Sequence, residues 1–270
     1  MGYQFIHIET YAKVASRSHK KQSARAIAHE CERVPKASSH IKYPSAPSTL
    51  FGVKPTEAVR QAETNASIGK DKIGRKVRKD AQIIVAGIAS YPTPTVDLNR
   101  NSRRFKTWLK LTHEFLKEKY GRQYKSLVLH LDEPFPHVHF YVVPDLNDRN
   151  VLSISSVHEG IKAREELPKG ASAKEKMRAY KAAMRRFQDK YFITVASQCG
   201  LTRDGPRRRR LTRQEWQYEK AAAIRLSKTL ALSKKQIAGL IASKELLHAQ
   251  EMKNPNNYNY KPELIYEFNK

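Results

Sequence analysis

VLHLDEPFPHVHFYVVP, residues 128–144, sets three histidines and two adjacent carboxylates among apolar, β-prone residues. The apolar runs on either side of EPFP read as two strands, 125–132 and 137–143, closed into a hairpin. Side chains two apart in a strand share a face, so His137 and His139 point the same way. With EPFP as a four-residue loop, Asp132 faces His137 and His130 faces His139, and all three imidazoles stand on one face of neighbouring strands. Three imidazoles with coordination positions to spare suit a divalent transition metal that also accepts a substrate oxygen. Asp132 or Glu133 is placed to orient such a site, and Glu133 to serve as a base. The plainer alternative is histidines satisfied by core hydrogen bonds, and strand register decides between the two.

Working outward, residues 3–10 and 81–90 read as strands, and residues 102–120 as a helix with Phe105, Leu109, Leu111, Phe115 and Leu116 on one side and Gly121 as its stop. Residues 23–34 form a helix that Ser23 can cap, with Pro35 just beyond its end, and residues 57–68 a second, modest one. The proline-rich stretch 35–55 reads as an irregular, DNA-accessible loop, and residues 145–173 as a polar, loop-rich seam. Met177, Tyr180, Met184, Phe187 and Tyr191 recur at helical spacing and mark a long amphipathic helix that packs through them. After Gly200 come the arginines 207–210, a helix-rich stretch 211–252 and an asparagine- and tyrosine-rich tail. The expected division is a domain over 1–200 and a basic helical extension over 201–270.

Across 270 residues there are 51 Lys+Arg and 26 Asp+Glu, a formal net charge of +25, with 40% hydrophobic residues. That content supports a real core, so wholesale disorder is excluded, and the charge points to a polyanionic partner. No run approaches the apolar length of a membrane span and no signal-peptide layout opens the chain, so a cytoplasmic protein is expected. Cys31 and Cys199 match neither a disulfide framework nor a four-cysteine zinc site, and Cys31 reads as a packing residue. The clusters holding Arg17, Lys20 and Lys21, then Arg78 and Lys79, Arg103 and Arg104, and Arg207 and Arg208 are expected to track a DNA backbone, which is positioning rather than base readout.

The stretch 130–144 fits HxDExxPHxHxxxVP at every fixed position, and it resembles the third motif of the Mob/Pre plasmid mobilization relaxases, a branch of the HUH single-strand endonucleases. RKDAQIIVAGI, residues 78–88, is similar to that family's second motif. AHECERVPKASSHIKY, residues 28–43, is a looser match to the first, which begins HNxR and ends in an asparagine-tyrosine pair. The resemblance spans residues 3–152.

It implies an α+β fold with a central antiparallel sheet of about five strands and flanking helices, His130, His137 and His139 holding Mn2+ or Mg2+. The implied activity is site- and strand-specific nicking of plasmid DNA at an origin of transfer, with the protein joined to the 5′ phosphate until the strand is rejoined. The family's histidine nucleophile falls on His29, with Glu133 its activator and Arg33 a phosphate clamp; Tyr43 is the runner-up and Tyr11 the third choice. Here His29 and Arg33 are four apart rather than three, spacings that share a helix face. Mobilization proteins or a second copy of the chain remain open as further partners. Rival readings are a rolling-circle replication initiator with a tyrosine nucleophile, a non-catalytic DNA-binding protein and a metallohydrolase acting on another substrate. The absence of an HExxH helix and the positive charge count against a zinc protease.

Overall fold

The computed structural model describes residues 2–16, 21–205 and 213–253. Five antiparallel strands, β1 (Phe5–Ala12), β2 (Ser48–Gly52), β3 (Gln82–Ser90), β4 (Tyr124–His130) and β5 (His137–Val142), form one sheet in the order β1-β3-β5-β4-β2. Among the described residues six α-helices accompany it: α1 (Ala24–Cys31), α2 (Pro55–Ile68), α3 (Arg103–Tyr120), α4 (Glu159–Glu165), α5 (Ala173–Tyr191) and α6 (Arg213–Lys253). None of the described helices is long and apolar enough to cross a membrane.

The central strands are apolar on both faces, and both faces are covered. On one, Ile6, Ile8, Val85, Val138, Phe140 and Val142 pack with Phe105, Trp108, Phe115 and Leu116 of α3 and Phe187 and Tyr191 of α5. The Trp108 indole N–H and the Thr112 hydroxyl both meet the buried Tyr191 oxygen, at 3.1 and 3.0 Å, so these three side chains satisfy one another within the core. On the other face, Ala24, Ala28 and Cys31 of α1 and Ala58, Val59 and Ala62 of α2 lie over Ile84, Val128 and Tyr141. Small residues on both helices let α1 and α2 approach the sheet closely.

Ser23 and Gly121 act as expected, and Ser102 caps α3 as well. Ser23 accepts from Ala26 N–H at the start of α1, Ser102 accepts from Phe105 N–H at the start of α3, and Gly121 ends α3 at φ 51°. The helix through Met177 and Tyr191 does form, but only Ala183, Phe187 and Tyr191 of it are buried and Met177 is exposed. It then continues through a π turn, Phe192–Ala196, and a 3-10 turn, Ser197–Cys199, to Gly200 at φ 68°.

Two elements depart from expectation. The 35–55 stretch is not wholly irregular: β2 pairs there with β4 as an edge strand. Its residues are mostly exposed and carry no alternating apolar pattern, so pairing with a buried neighbour rather than propensity creates it. The 145–173 seam likewise contains the two-turn helix α4, capped by the His158 ring nitrogen.

Gly87 on β3 faces Phe140 on β5, and a Cβ there would lie 2.1 Å from the Phe140 ring. Gly87→Ala should therefore cost about 1–3 kcal/mol by overpacking, measured by urea unfolding, and adding Phe140→Leu should return part of that loss because the two sites share one space.

A histidine cavity at the end of the sheet

The hairpin forms with a register two residues from the expected one. His130 pairs with His137 and Val128 with His139, leaving a six-residue connection, 131–136. A shift of two preserves strand parity, so the three imidazoles still share one face. Their ring centroids make a nearly equilateral triangle, with 5.1 Å between His130 and His137, 4.7 Å between His130 and His139, and 5.0 Å between His137 and His139.

Each far nitrogen that can be assigned is held by a backbone carbonyl. His130 Nε2 lies 2.8 Å from the Cys31 carbonyl oxygen and His137 Nδ1 2.9 Å from that of Phe135. A carbonyl can only accept, so those nitrogens carry the protons, and His130 Nδ1 and His137 Nε2 present lone pairs. His130 Nδ1 is buried and has no hydrogen-bond partner; it and His137 Nε2 face the Glu133 carboxylate at 3.9 and 3.4 Å. Burial first, then the Arg33 and His137 charges, pull His130 down to about 4, and burial also holds His139 well below the usual imidazole range. Both are neutral at pH 7, the state in which imidazole binds a cation.

These observations fit a bound divalent ion. With metal–nitrogen bonds of about 2.1 Å and a ring centre about 1.2 Å further on, ligands separated by 90–109° place their centroids roughly 4.7–5.4 Å apart. The observed triangle lies in that range. Donor atoms of His130, Glu133 and His137 fall within 4.8 Å of one another, and so do those of Cys31, His130 and His139.

Arg33 is not free to clamp a phosphate. Its Nε and Nη2 donate to the two Asp132 oxygens, both at 2.8 Å, Nη2 donates also to Glu133 at 2.7 Å, and Nη1 to the Glu30 carbonyl at 3.1 Å. The Arg33 and Asp132 side chains are 5% and 3% exposed. This buried fork ties the end of α1 to the connection between β4 and β5. Burial alone would raise the Asp132 carboxyl, but the Arg33 bonds, the Ser45 N–H and the Arg33 charge together hold it at about 2.

The cluster opens into a cavity of about 290 Å3 whose far side is made by His7, Glu9 and Tyr11 of β1 and whose roof includes Glu30 and His40. His29 does not line it. The face of α1 turned inward carries Ile27, Glu30 and Cys31, and His29 is exposed. The four-residue spacing to Arg33 misleads because α1 ends at Cys31 and Arg33 has a left-handed φ of 57°, so helical phase does not extend that far. Tyr43 is 76% exposed and also outside the lining, although Ser45, two residues on, binds Asp132. Glu133 stands against the histidines, in no contact with His29. Sequence reading missed His7 and His40: the first signals itself only through β1 alternation, the second through nothing local.

Of the basic residues, Lys21 sits at the cavity rim, paired with Glu9 at 2.6 Å and 5.2 Å from the Tyr11 ring centre. Arg78 pairs with Asp80 at 2.7 Å, and Lys79, Arg103 and Arg104 are exposed. Arg17, Lys20, Arg207 and Arg208 lie outside the described residues, as does the tail 254–270.

A sheet that gathers three histidines on one face, two of them lining a cavity, defines a candidate metal-dependent enzyme centre. Residues 53–202, more than half of the chain, match the sequence model of the Mob_Pre family, described as plasmid recombination enzyme. The chain belongs to that family, and it is an enzyme of plasmid DNA processing. Among solved structures it is similar to the MobM relaxase domain (MOBV; Mob_Pre) bound to plasmid pMV158 oriT DNA (22nt), Mn-bound at pH 5.5, with 16% identity over 70% of this chain and 83% of that one and a TM-score of 0.41. Similar too are the same domain with 26nt oriT DNA, at 15% identity and TM-score 0.37, and with 22nt plus a 3′ thiophosphate, at 17% and 0.40, over the same shares of both chains. No protein of curated function matches the chain in sequence.

Asp132→Asn leaves the buried Arg33 charge without its bidentate partner and should cost about 3–5 kcal/mol, whereas Asp80→Asn, at an exposed pair, should cost under about 1 kcal/mol, both by urea unfolding. Because the folded-state carboxyl is held below its unfolded value, the Asp132 contribution is complete above about pH 4 and lost as pH falls toward about 2, so the wild type and Asp132→Asn should converge in stability on acidification.

Proposed function

We propose that this enzyme is a relaxase: it nicks one strand of plasmid DNA at an origin of transfer, holds the 5′ phosphate covalently and rejoins it. The observation that carries this reading is the histidine triangle, two of whose members, His137 and His139, line a cavity that also holds a nucleophilic side chain. His130, His137 and His139 would hold Mn2+ or Mg2+, with Glu133 beside them. When bound, such an ion supplies Lewis-acid polarisation of a phosphodiester oxygen and stabilises the charge that builds during displacement.

The attacking group in this reading is His40, not His29 or Tyr43. His40 lines the cavity, and its Nε2 lies 3.5 Å from Glu30 Oε1, a carboxylate that α1 aims inward. Turns closed by Ala37 N–H to the Val34 carbonyl and Ile41 N–H to the Ser38 carbonyl bring it there. Glu30 accepts the Nε2 proton and leaves the Nδ1 lone pair as nucleophile, the base-and-orienter logic of activated side chains. Nδ1 forms the bond to phosphorus, the bond from phosphorus to the 3′ oxygen breaks, and the Nε2 proton passes through Glu30 to that oxygen. Religation reverses each step. Arg33 keeps Glu133 and Asp132 in place and takes no part in the transfer. Residues 1–200 form the nicking domain, residues 201–270 the basic extension, and the enzyme works in the cytoplasm, where plasmid DNA is.

With manganese the protein should convert supercoiled plasmid bearing its cognate site to the open form and leave a protein–DNA adduct resistant to denaturant. His137→Ala should abolish both, by at least about 100-fold. His40→Ala should remove the adduct while His29→Ala and Tyr43→Phe retain it, and sequencing the DNA-linked peptide by mass spectrometry identifies the attacking residue. An adduct on any peptide other than the one containing His40 overturns the assignment of the nucleophile; normal nicking by His137→Ala overturns the metal centre.

A further inference from the structure

A second cavity lies on the other face of the sheet, between the start of α3 and the middle of α6. It encloses about 770 Å3, and Arg103, Arg104, Gln198, Ser227, Lys234 and Lys235 contribute its polar lining. Four cations from two helices face one space into which no carboxylate projects. Among the described residues Arg103, Arg104 and Lys235 enter no ion pair, and the Lys234 amine bonds the Gln198 side-chain oxygen instead of an acid. The cleft is built rather than accidental: the Ser227 hydroxyl donates to the Gln198 carbonyl at 2.9 Å, seating α6 on the turn that follows α5.

Local electrostatics also run against folding preference here. The first turn of α3 carries Arg103 and Arg104 and no acid, so two cations sit at the positive end of an 18-residue helix. An anion between α3 and α6 relieves both repulsions at once.

We propose that this cleft is a second DNA site, which holds the phosphate backbone of double-stranded DNA while the histidine cavity takes the strand to be cut. It rests on the reading above only in taking DNA as the polyanion. One feature selects duplex over single strand. Single-strand grooves combine cations with aromatic platforms for bases, and no aromatic residue lines this cleft. Cations alone neutralise backbone phosphates without reading sequence. The placement also suits one DNA molecule reaching both sites. Residues 91–102 run from the end of β3, where Ser90 pairs with His137, to the start of α3, and on the way Tyr91 N–H binds the Pro136 carbonyl and Thr95 N–H the Pro134 carbonyl. The segment leading into α3 is thus tied to the end of the sheet that carries His130 and His137.

The test is fluorescence anisotropy of a short labelled duplex of arbitrary sequence and of its single strand, each with the full chain and without divalent metal, across a salt series. Lys234 and Lys235 are exposed, so K234Q/K235Q should fold as the wild type does, checked by circular dichroism. The double variant should bind duplex roughly tenfold more weakly, with the slope of log affinity against log salt smaller in magnitude by about 2, and should bind single strand as before. It should also nick a short single-stranded substrate at the wild-type rate. Unchanged duplex affinity and slope would overturn the proposal and leave the cleft to an acidic protein partner. Equal losses for duplex and single strand would overturn it in favour of a single-strand groove. Since the binding arms need neither metal nor cleavage, they decide the matter even if the protein proves unable to nick.

Discussion

Arg33 reaches from the end of α1 across to Asp132 and Glu133, and this buried fork fixes how the helix layer meets the hairpin. The histidines lie directly beneath it. His130 depends on a carbonyl of α1 for its orientation and His137 on a carbonyl of the connection that Asp132 and Glu133 belong to. Loosening the fork would therefore release both ring orientations together. An exposed ion pair would be a weak fastener, screened and entropically costly to hold, but side chains this deeply buried cannot separate without leaving a charge unsolvated. The left-handed backbone at Arg33 is tolerated for the same reason, since four hydrogen bonds define where the guanidinium must be.

Much of this was legible in the sequence because strand parity is robust. The hairpin register inferred from EPFP was off by two residues, yet an even slip leaves every side chain on its own face, so the histidine triad survived the error. The cap Ser23 and the stop at Gly121 were readable because each acts on its own neighbours. What failed were inferences that needed the third dimension. β2 exists because β4 has an edge to offer, and nothing in STLFG announces it. His29 was singled out through the family resemblance, and its helical spacing to Arg33 does not hold because the chain leaves the helix after Cys31. His40 carries no local pattern; it reaches the cavity because the turns after Arg33 fold back toward Glu30.

The sheet separates two demands that conflict. Activating a histidine requires burial among neutral or negative neighbours, whereas gripping DNA requires unpaired cations. Near the histidines the cations are cancelled, Arg33 by two carboxylates and Lys21 by Glu9. On the opposite face Arg103, Arg104, Lys234 and Lys235 meet no carboxylate among the described residues. A chain of net charge +25 thus keeps its reactive cavity close to electrically balanced while most of its excess charge stays outward.

That balance bears on how the triad can take a cation at all. Arg33 lowers the basicity of His130 and His139, which keeps protons off them, but the same positive charge would repel a divalent ion. Asp132 and Glu133 resolve the conflict, because they answer the guanidinium charge at 2.7–2.8 Å and Glu133 also faces the ring nitrogens of His130 and His137. Burial remains the larger influence on both histidines and favours the neutral ring whatever the neighbouring charges do. Protons are therefore excluded mainly by desolvation, whereas an ion would be admitted by local neutrality, two separate physical causes. A carboxylate removed from the fork would disturb the second while leaving the first intact.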